Sequence, residues 1–328
     1  MKYFPKVIAF FLVFLGSISF TYAVDMGIVT GGKSGTYIKI GRDISKLVEQ
    51  VDINLTVYPS NGSLDNVADV FERRGVQLGI VQSDVLAFIR SSNNQKLAKV
   101  ANKIKMVFPL YNEEVHLLAS NFVTSFFDLE NKVVAIGKEG SGTYLTASLL
   151  FEIAGFSPKK QLLVGGQDAL SKLYSGEVDA MFYVSGYPVS LFSGITEEKL
   201  HLVPIVDKSI EEYYVSSEIP EGTYDWQSGV VKTVAVKAVL MSYEYKRTNC
   251  QNVGKLANAI YNHFDWLKSN GHPKWNNVDL DHKLKKWEQY GCVTKALTGN
   301  APETPEIQDD NRNSTRQLFR DTLKNLSD

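Results

Sequence analysis

The stretch G-I-V-T-G-G-K-S-G-T-Y, Gly27 to Tyr37, has an echo in G-K-E-G-S-G-T-Y, Gly137 to Tyr144. As far as Ser34, the first copy satisfies the G-x-x-x-x-G-K-[ST] spacing of a phosphate-binding loop. Such a loop rises from a buried strand that precedes its first glycine, yet here the apolar run Met26 to Thr30 lies inside the motif. No apolar run ending in paired acidic residues for a Mg²⁺ site follows it. Beyond the glycines, Tyr37, Ile40, Ile44, Leu47 and Val48 share one helical face. The glycines therefore read as a strand-to-helix turn, and the nucleotide match as coincidence.

Working outward, the chain before the turn opens with Lys2 and Lys6, an apolar run from Val7 to Phe20, and small residues up to Ala23. That is the pattern of a secretory signal peptide cleaved after Ala23, and the run is shorter than the roughly 20 apolar residues of a spanning helix. Export predicts a compartment without an ATP pool, which also speaks against the nucleotide reading. Lys and Arg total 35 against 36 Asp and Glu, so no basic face for nucleic acid or an anionic membrane is expected. Cys250 and Cys292 are the only cysteines. An even count in an exported chain predicts a disulfide between them, the alternative being two buried or reactive thiols.

After the first turn come a strand near Leu55 to Tyr58, a helix carrying Leu64, Val67, Ala68 and Phe71 that stops by Gly75, and a strand Val76 to Val81 delivering Gln82, Ser83 and Asp84. Two further strands are expected, Lys105 to Leu110 and Glu114 to Ser120. The order then repeats. Strand Lys132 to Ile136 enters the second glycine turn, a helix runs to Gly155, and a later strand, Ala180 to Val184, delivers Ser185, Gly186 and Tyr187. Recurrence of Ser-Gly-Thr-Tyr with matching neighbours predicts two similar α/β lobes, each a parallel sheet wrapped by helices. Val230 to Tyr243 reads as a strand too long for one lobe, and a single helix is expected from Cys250 through Leu267. From Gly299 the chain is polar and Asp/Asn-rich, as in a mobile tail.

A helix start offers amides with no intrahelical partner and the positive end of the dipole, and glycine lets a ligand approach them. Ser34, Thr36, Ser141 and Thr143 add hydroxyls suited to a carboxylate or an amide. Each turn alone could be no more than a helix cap; two of them, one per lobe at strand ends, mark where open α/β sheets bind ligands. Tyr37 and Tyr144 are either core or aromatic walls, Gln82 can face the cleft, and Lys33 is a candidate counter-charge. Nothing has the spacing of a nucleophile elbow, and the five histidines form no zinc pattern. No cofactor is expected.

These segments are similar to those of the TAXI family of solute receptors, the extracytoplasmic subunits of TRAP transporters. The resemblance rests on the first glycine run, then L-G-I-V-Q-S-D, A-I-G-K-E-G-S-G-T-Y-L-T-A and F-Y-V-S-G-Y-P in the family's order, across Val24 to Trp287; it departs from the family at Thr36-Tyr37-Ile38-Lys39. It implies a type II periplasmic-binding-protein fold, two Rossmann-like lobes joined by hinge strands, with residues 24–115 and 231–298 in one lobe, 116–230 in the other, and 299–328 as tail. It implies a periplasmic, monomeric receptor for a small carboxylate or amino acid such as glutamate or glutamine, partnered by TRAP permease subunits. By motif position, the ligand would be held by Gly32, Ser34, Tyr37, Gln82, Ser83, Ser141, Gly142, Thr143 and Ser185. Rival readings are an exported sensor of the same fold and, more distantly, an exported hydrolase.

Overall fold

The computed structural model describes residues 23–33, 35–91, 95–196, 199–285 and 287–299. Residues 1–22 of the signal peptide expected over 1–23, Ser34, and the expected tail from residue 300 lie outside the described residues.

The first turn is built as its glycines suggest. Strand β1 (Val24–Val29) pairs in parallel with β2 (Ile53–Tyr58), Val24 opposite Ile53 through Val29 opposite Tyr58. Helix α1 (Thr36–Val48) runs back between them and buries Tyr37, Ile40, Ile44, Leu47 and Val48 against Ile28, Ile53 and Leu55. Each large aliphatic side chain so buried contributes roughly 1.5–3 kcal/mol, which holds a helix whose N-cap, Gly35, has no side chain to cap it. Gly41 lets α1 sit this close, since a Cβ there would come within 2.8 Å of Thr30. Gly27 also has a packing reason. The carbonyl oxygen of Gly75 lies 2.3 Å from where its Cβ would be, so the first glycine of the phosphate-loop pattern serves a chain crossing.

Helix α2 (Ser63–Glu72) and strand β3 (Leu78–Gln82) follow, then helices α3 (Ser83–Ser91) and α4 (Gln95–Lys103). The two strands expected between residues 105 and 120 are one, β4 (Ile104–Ser120), 17 residues long. The residues between the two expected strands, Tyr111 to Glu113, stay extended, because β10 (Val231–Tyr243) pairs with β4 there: Val236 faces Glu113 and Ala235 faces Glu114. In the second half of the chain, β5 (Val133–Ala135), α5 (Gly142–Ala154), β6 (Lys160–Leu162), α6 (Gln167–Tyr174) and β7 (Ala180–Ser185) form the repeat. Strand β8 (Leu200–Leu202), helix α7 (Lys208–Glu211) and β9 (Val215–Ile219) lead into β10.

One ten-stranded sheet results, in the order β2-β1-β3-β10-β4-β7-β5-β6, with β8 on β4 and β9 on β10. It is mixed, where sequence predicted parallel. β10 is antiparallel to β3, β4 and β9, and β4 is antiparallel to β7. The long strands β4 and β10 cross from one α/β half to the other, so their direction is set by the crossing and not by a βαβ unit.

The predicted helix after Cys250 is two, α8 (Arg247–Asn262) and α9 (Phe264–Asn270), parted at His263, whose backbone leaves helical geometry at φ −115° and ψ 27°. Helix α10 (Gly291–Thr298) closes the described chain against α8, and Cys250 and Cys292 are bonded, Cα atoms 5.5 Å apart. Gly254 allows that contact, a Cβ there lying 3.0 Å from the Cys292 carbonyl.

His116, fully buried in the middle of β4, places its Nδ1 3.0 Å from the Glu114 carbonyl, while its Nε2 accepts from Tyr224 Oη at 2.9 Å. Burial pulls its imidazole down from 6.5 to about 4. An unfolded chain therefore binds this proton first. The stability that His116 contributes is full above pH 6.5 and is lost as pH falls through 6.5 towards 4, about 3 kcal/mol in all. Urea unfolding at pH 7.5 and 4.5 should show the wild-type chain losing about that much more than His116→Phe over the interval. An identical pH slope in the two proteins would mean that the imidazole charges freely inside the fold.

Candidate functional site

Four helix starts converge on one cavity of about 340 Å³. α1 brings Gly35, Thr36 and Tyr37; α2 brings Asn61, Gly62 and Ser63; α5 brings Ser141, Gly142 and Thr143; α6 brings Gly166, Gln167 and Asp168. The N-cap residues of α1, α2 and α6 are all glycine, so no N-cap side chain covers the first turn there, although Leu64 N of α2 is taken by the Gly140 carbonyl. α5 differs: the Ser141 hydroxyl accepts from Tyr144 N at 3.1 Å. A ring of amides and positive dipole ends of this kind favours a negatively charged group inside it.

Gly32, Tyr37, Gln82, Ser141, Gly142, Thr143 and Ser185, all expected from the sequence, line this cavity together. Several also work in the fold. Thr143 Oγ1 accepts from Val184 N at 3.2 Å, and Ser185 Oγ lies 3.0 Å from Thr36 Oγ1, which donates to the Gly186 carbonyl. Gly142 has to be glycine, because a Cβ would fall 1.7 Å from Gln82 Oε1 and 2.9 Å from Ser63 Oγ. Ser83 is not on the lining. Its Oγ accepts from Lys237 N at 3.2 Å and ties α3 to β10. Lys33 is exposed and also off the lining, and Tyr144 packs in the core at 5% exposure. Ser34 lies outside the described residues.

The sequence reading missed the floor of the cavity. Glu113, 2% exposed, accepts a hydrogen bond from Tyr37 Oη at 2.5 Å. Burial pushes its carboxyl well above the usual carboxylate range, the Tyr37 hydrogen bond opposing, and burial likewise pushes the Tyr37 phenol up. Beside it Glu114 pairs with Lys274 Nζ at 2.9 Å, both side chains only 4% exposed, and the same ammonium sits 3.7 Å from the Tyr187 ring centre. A polar triplet inside an apolar strand was the available signal for Glu113; the Gly165-Gly166 pair ahead of Gln167 was the signal for the α6 start. Lys138 and Asp168 are exposed at the rim.

Hydrogen bonds across the cleft hold the two halves together around this space. Leu64 N donates to the Gly140 carbonyl at 3.2 Å, Lys39 Nζ to Ser190 Oγ at 2.7 Å, and Thr146 Oγ1 to Asp84 Oδ2 at 2.8 Å. Among the described residues, no group of three or more His, Cys, Asp or Glu side chains could hold a metal ion, and no helix is long and apolar enough to cross a membrane.

A family model described as NMT1-like matches residues 28–287, most of the chain and all of the cavity lining. The chain belongs to the NMT1-like family. Solved structures agree on the architecture of this NMT1-like protein. The periplasmic binding protein BugD superposes with a TM-score of 0.53 at 10% identity, over 92% of this chain and 96% of that one. A Bordetella bronchiseptica protein gives 0.51 at 14% identity, over 85% and 90%. At such identities the likeness concerns fold, and the fold is that of type II periplasmic binding proteins.

Proposed function

We propose that this NMT1-like protein is an extracytoplasmic solute receptor of the TAXI type, exported by its signal peptide. It captures a small carboxylate or amino acid such as glutamate or glutamine and delivers it to the membrane permease of a TRAP transporter. One observation carries the reading: glycine-capped helix starts from both halves of the chain face the same cavity. A receptor needs convergent hydrogen-bonding groups, and the backbone amides, hydroxyls and amide side chains of these helix starts supply them.

In this reading the lobes are residues 24–115 with 231–298, and residues 116–230, and β4 and β10 are the hinge strands. Each lobe offers part of the ligand's contacts, so ligand favours the closed arrangement by the contacts the open one lacks. The permease then reads closure of a monomeric receptor.

The test is a thermal-shift screen of the chain after Ala23 against amino acids, dicarboxylates, 2-oxo acids, sugars and nucleotides. A ligand at 100 times its Kd should stabilise by about 2.7 kcal/mol, and Thr143→Ala should reduce that gain. A shift with ATP and Mg²⁺ alone, or with sugars alone, would end the carboxylate-receptor reading.

A further inference from the structure

Along one flank of β10 the sheet passes from one half of the chain to the other. There β3, from the first half, ends with Gln82 opposite Ala238, and β9, from the second, begins with Val215 opposite Ala235. Val236 and Lys237, between them, have no strand on that flank. Ser83 and Asp84, the first two residues of α3, stand at the gap: the Ser83 hydroxyl accepts from Lys237 N, and Asp84 reaches into the second half. Its Oδ2 accepts from Thr146 Oγ1 of α5 at 2.8 Å and, at 3.3 Å, from Oη of Tyr214, the residue ahead of β9. Its Oδ1 is shut away from solvent and has no hydrogen-bond donor. Among the described residues no ion pair reaches it. An ionised carboxylate is poorly held in that position, because one buried oxygen has lost water without gaining a donor.

We propose that Asp84 is a proton-operated clasp at the hinge: closing the two halves over a ligand encloses its carboxyl and draws a proton onto it, so the receptor grips more tightly in acid and releases more readily as pH rises. The inference rests on the receptor reading above and adds a regulation to it. An open arrangement parts Asp84 from Thr146 and Tyr214 and returns both of its oxygens to water, which favours the charged form. Burial in the closed arrangement pushes the carboxyl from 3.8 up to about 6, although both hydroxyls oppose it. The closed form therefore binds this proton more tightly than the open one, and closure gains as pH falls through 6 towards 3.8. The titratable groups facing Asp84 are Tyr214 and, from β4, Glu113, with Glu152 of α5 beside Tyr214. Each is an acid, so none supplies a positive charge that would hold Asp84 ionised. Asp84 is off the cavity lining and acts on ligand only through closure, which makes it a positioning residue.

The experiment is titration calorimetry of the chain after Ala23 with L-glutamate as the probe, at pH 7.5, 6.5 and 5.0, for the wild type, Asp84→Asn and Tyr214→Phe. Asparagine keeps an acceptor for Thr146 and Tyr214 but cannot ionise. The ratio of wild-type to Asp84→Asn affinity cancels the other titrating groups, Glu113 included. That ratio should rise about tenfold from pH 7.5 to 5.0, and at pH 5.0 the wild type should take up about one proton more on binding. Tyr214→Phe removes a donor that favours the carboxylate, so its tightening should begin at a higher pH than in the wild type. Thermal unfolding of each variant checks that it is folded. Should Asp84→Asn not fold, the wild-type proton uptake and the Tyr214→Phe shift decide. A ratio that stays constant across pH would overturn the inference while leaving the receptor standing. Absence of L-glutamate binding at every pH would remove glutamate from the receptor reading, and small-angle scattering of the ligand-free chain then decides the clasp. A wild type more compact at pH 5.0 than at 7.5, beside an unchanged Asp84→Asn, would support it, and equal radii in the wild type would overturn it.

Discussion

Replacing Lys274 with methionine is expected to cost the fold about 3–5 kcal/mol at pH 7. The reason is local and electrostatic. Lys274 Nζ and Glu114 Oε2 lie 2.9 Å apart with both side chains 4% exposed, so removing the ammonium strands a carboxylate that has no water to turn to. Burial already raises the Glu114 carboxyl above its ordinary 4.5, with Lys274 pulling it back down; without Lys274 it rises further. The unfolded chain then releases that proton first as pH increases. The deficit of Lys274→Met relative to wild type is therefore largest at neutral pH and shrinks as pH falls through 4.5, below which the carboxyl is protonated in both states. Adding Glu114→Gln should recover most of the loss, because two neutral groups replace a charge and an absence. Urea unfolding of the wild type, the single variant and the double variant at pH 7 and 5 measures all three statements. A loss below about 1 kcal/mol at pH 7 would mean that the pair is solvated, as surface ion pairs are.

Replacing both Cys250 and Cys292 by serine is expected to cost about 4 kcal/mol at 25 °C. The bond closes a loop with a sequence separation of 42, and the loop-closure entropy it removes from the unfolded chain scales with the logarithm of that length. The helices it joins, α8 and α10, pack on the face of the sheet that also buries α1, with Val253, Leu256, Ile260 and Val293 in the same core. The cavity lining includes no residue of either helix. The variant should therefore bind ligand with wild-type affinity wherever it is still folded. Chemical unfolding with and without reductant, alongside the serine variant, separates the cross-link from the side chains. Reduced wild type and the variant should coincide; a shared loss under 1 kcal/mol would show that the bond constrains little in the unfolded chain.

Much of this architecture is legible locally. Gly31-Gly32 and Gly140-Ser141-Gly142 each follow a short apolar strand and precede residues with helical periodicity, and α1 and α5 start where those patterns place them. The cysteine count led to the disulfide. The phosphate-loop pattern misled because its glycines answer different needs: Gly27 yields to the Gly75 carbonyl, whereas Gly32 has open space where a Cβ would be. Ser83 looked like a ligand residue by position, yet an amide of β10 takes its hydroxyl.

Turn chemistry and hydrophobic period act over a few residues, so two strand-to-helix turns, the repeat and the general α/β class could be read from the chain alone. Partners far apart in the chain could not. Tyr37 meets Glu113 across a separation of 76 residues, and Lys274 meets Glu114 across 160. Those meetings depend on how β4 and β10 lie side by side, Val236 against Glu113 and Ala235 against Glu114, with the register shifting further along, between Lys237 and Val239 and again between Leu240 and Met241. Shifting that pairing by one residue would turn Glu113 away from the cavity and expose Glu114 to it, since successive side chains of a strand point to opposite faces. Register is settled by how whole faces of the sheet bury against helices on both sides, a property of the assembled core and of no short segment of sequence. The donor-rich walls of the cavity are thus written in local motifs, while its acidic floor exists only once the sheet has formed.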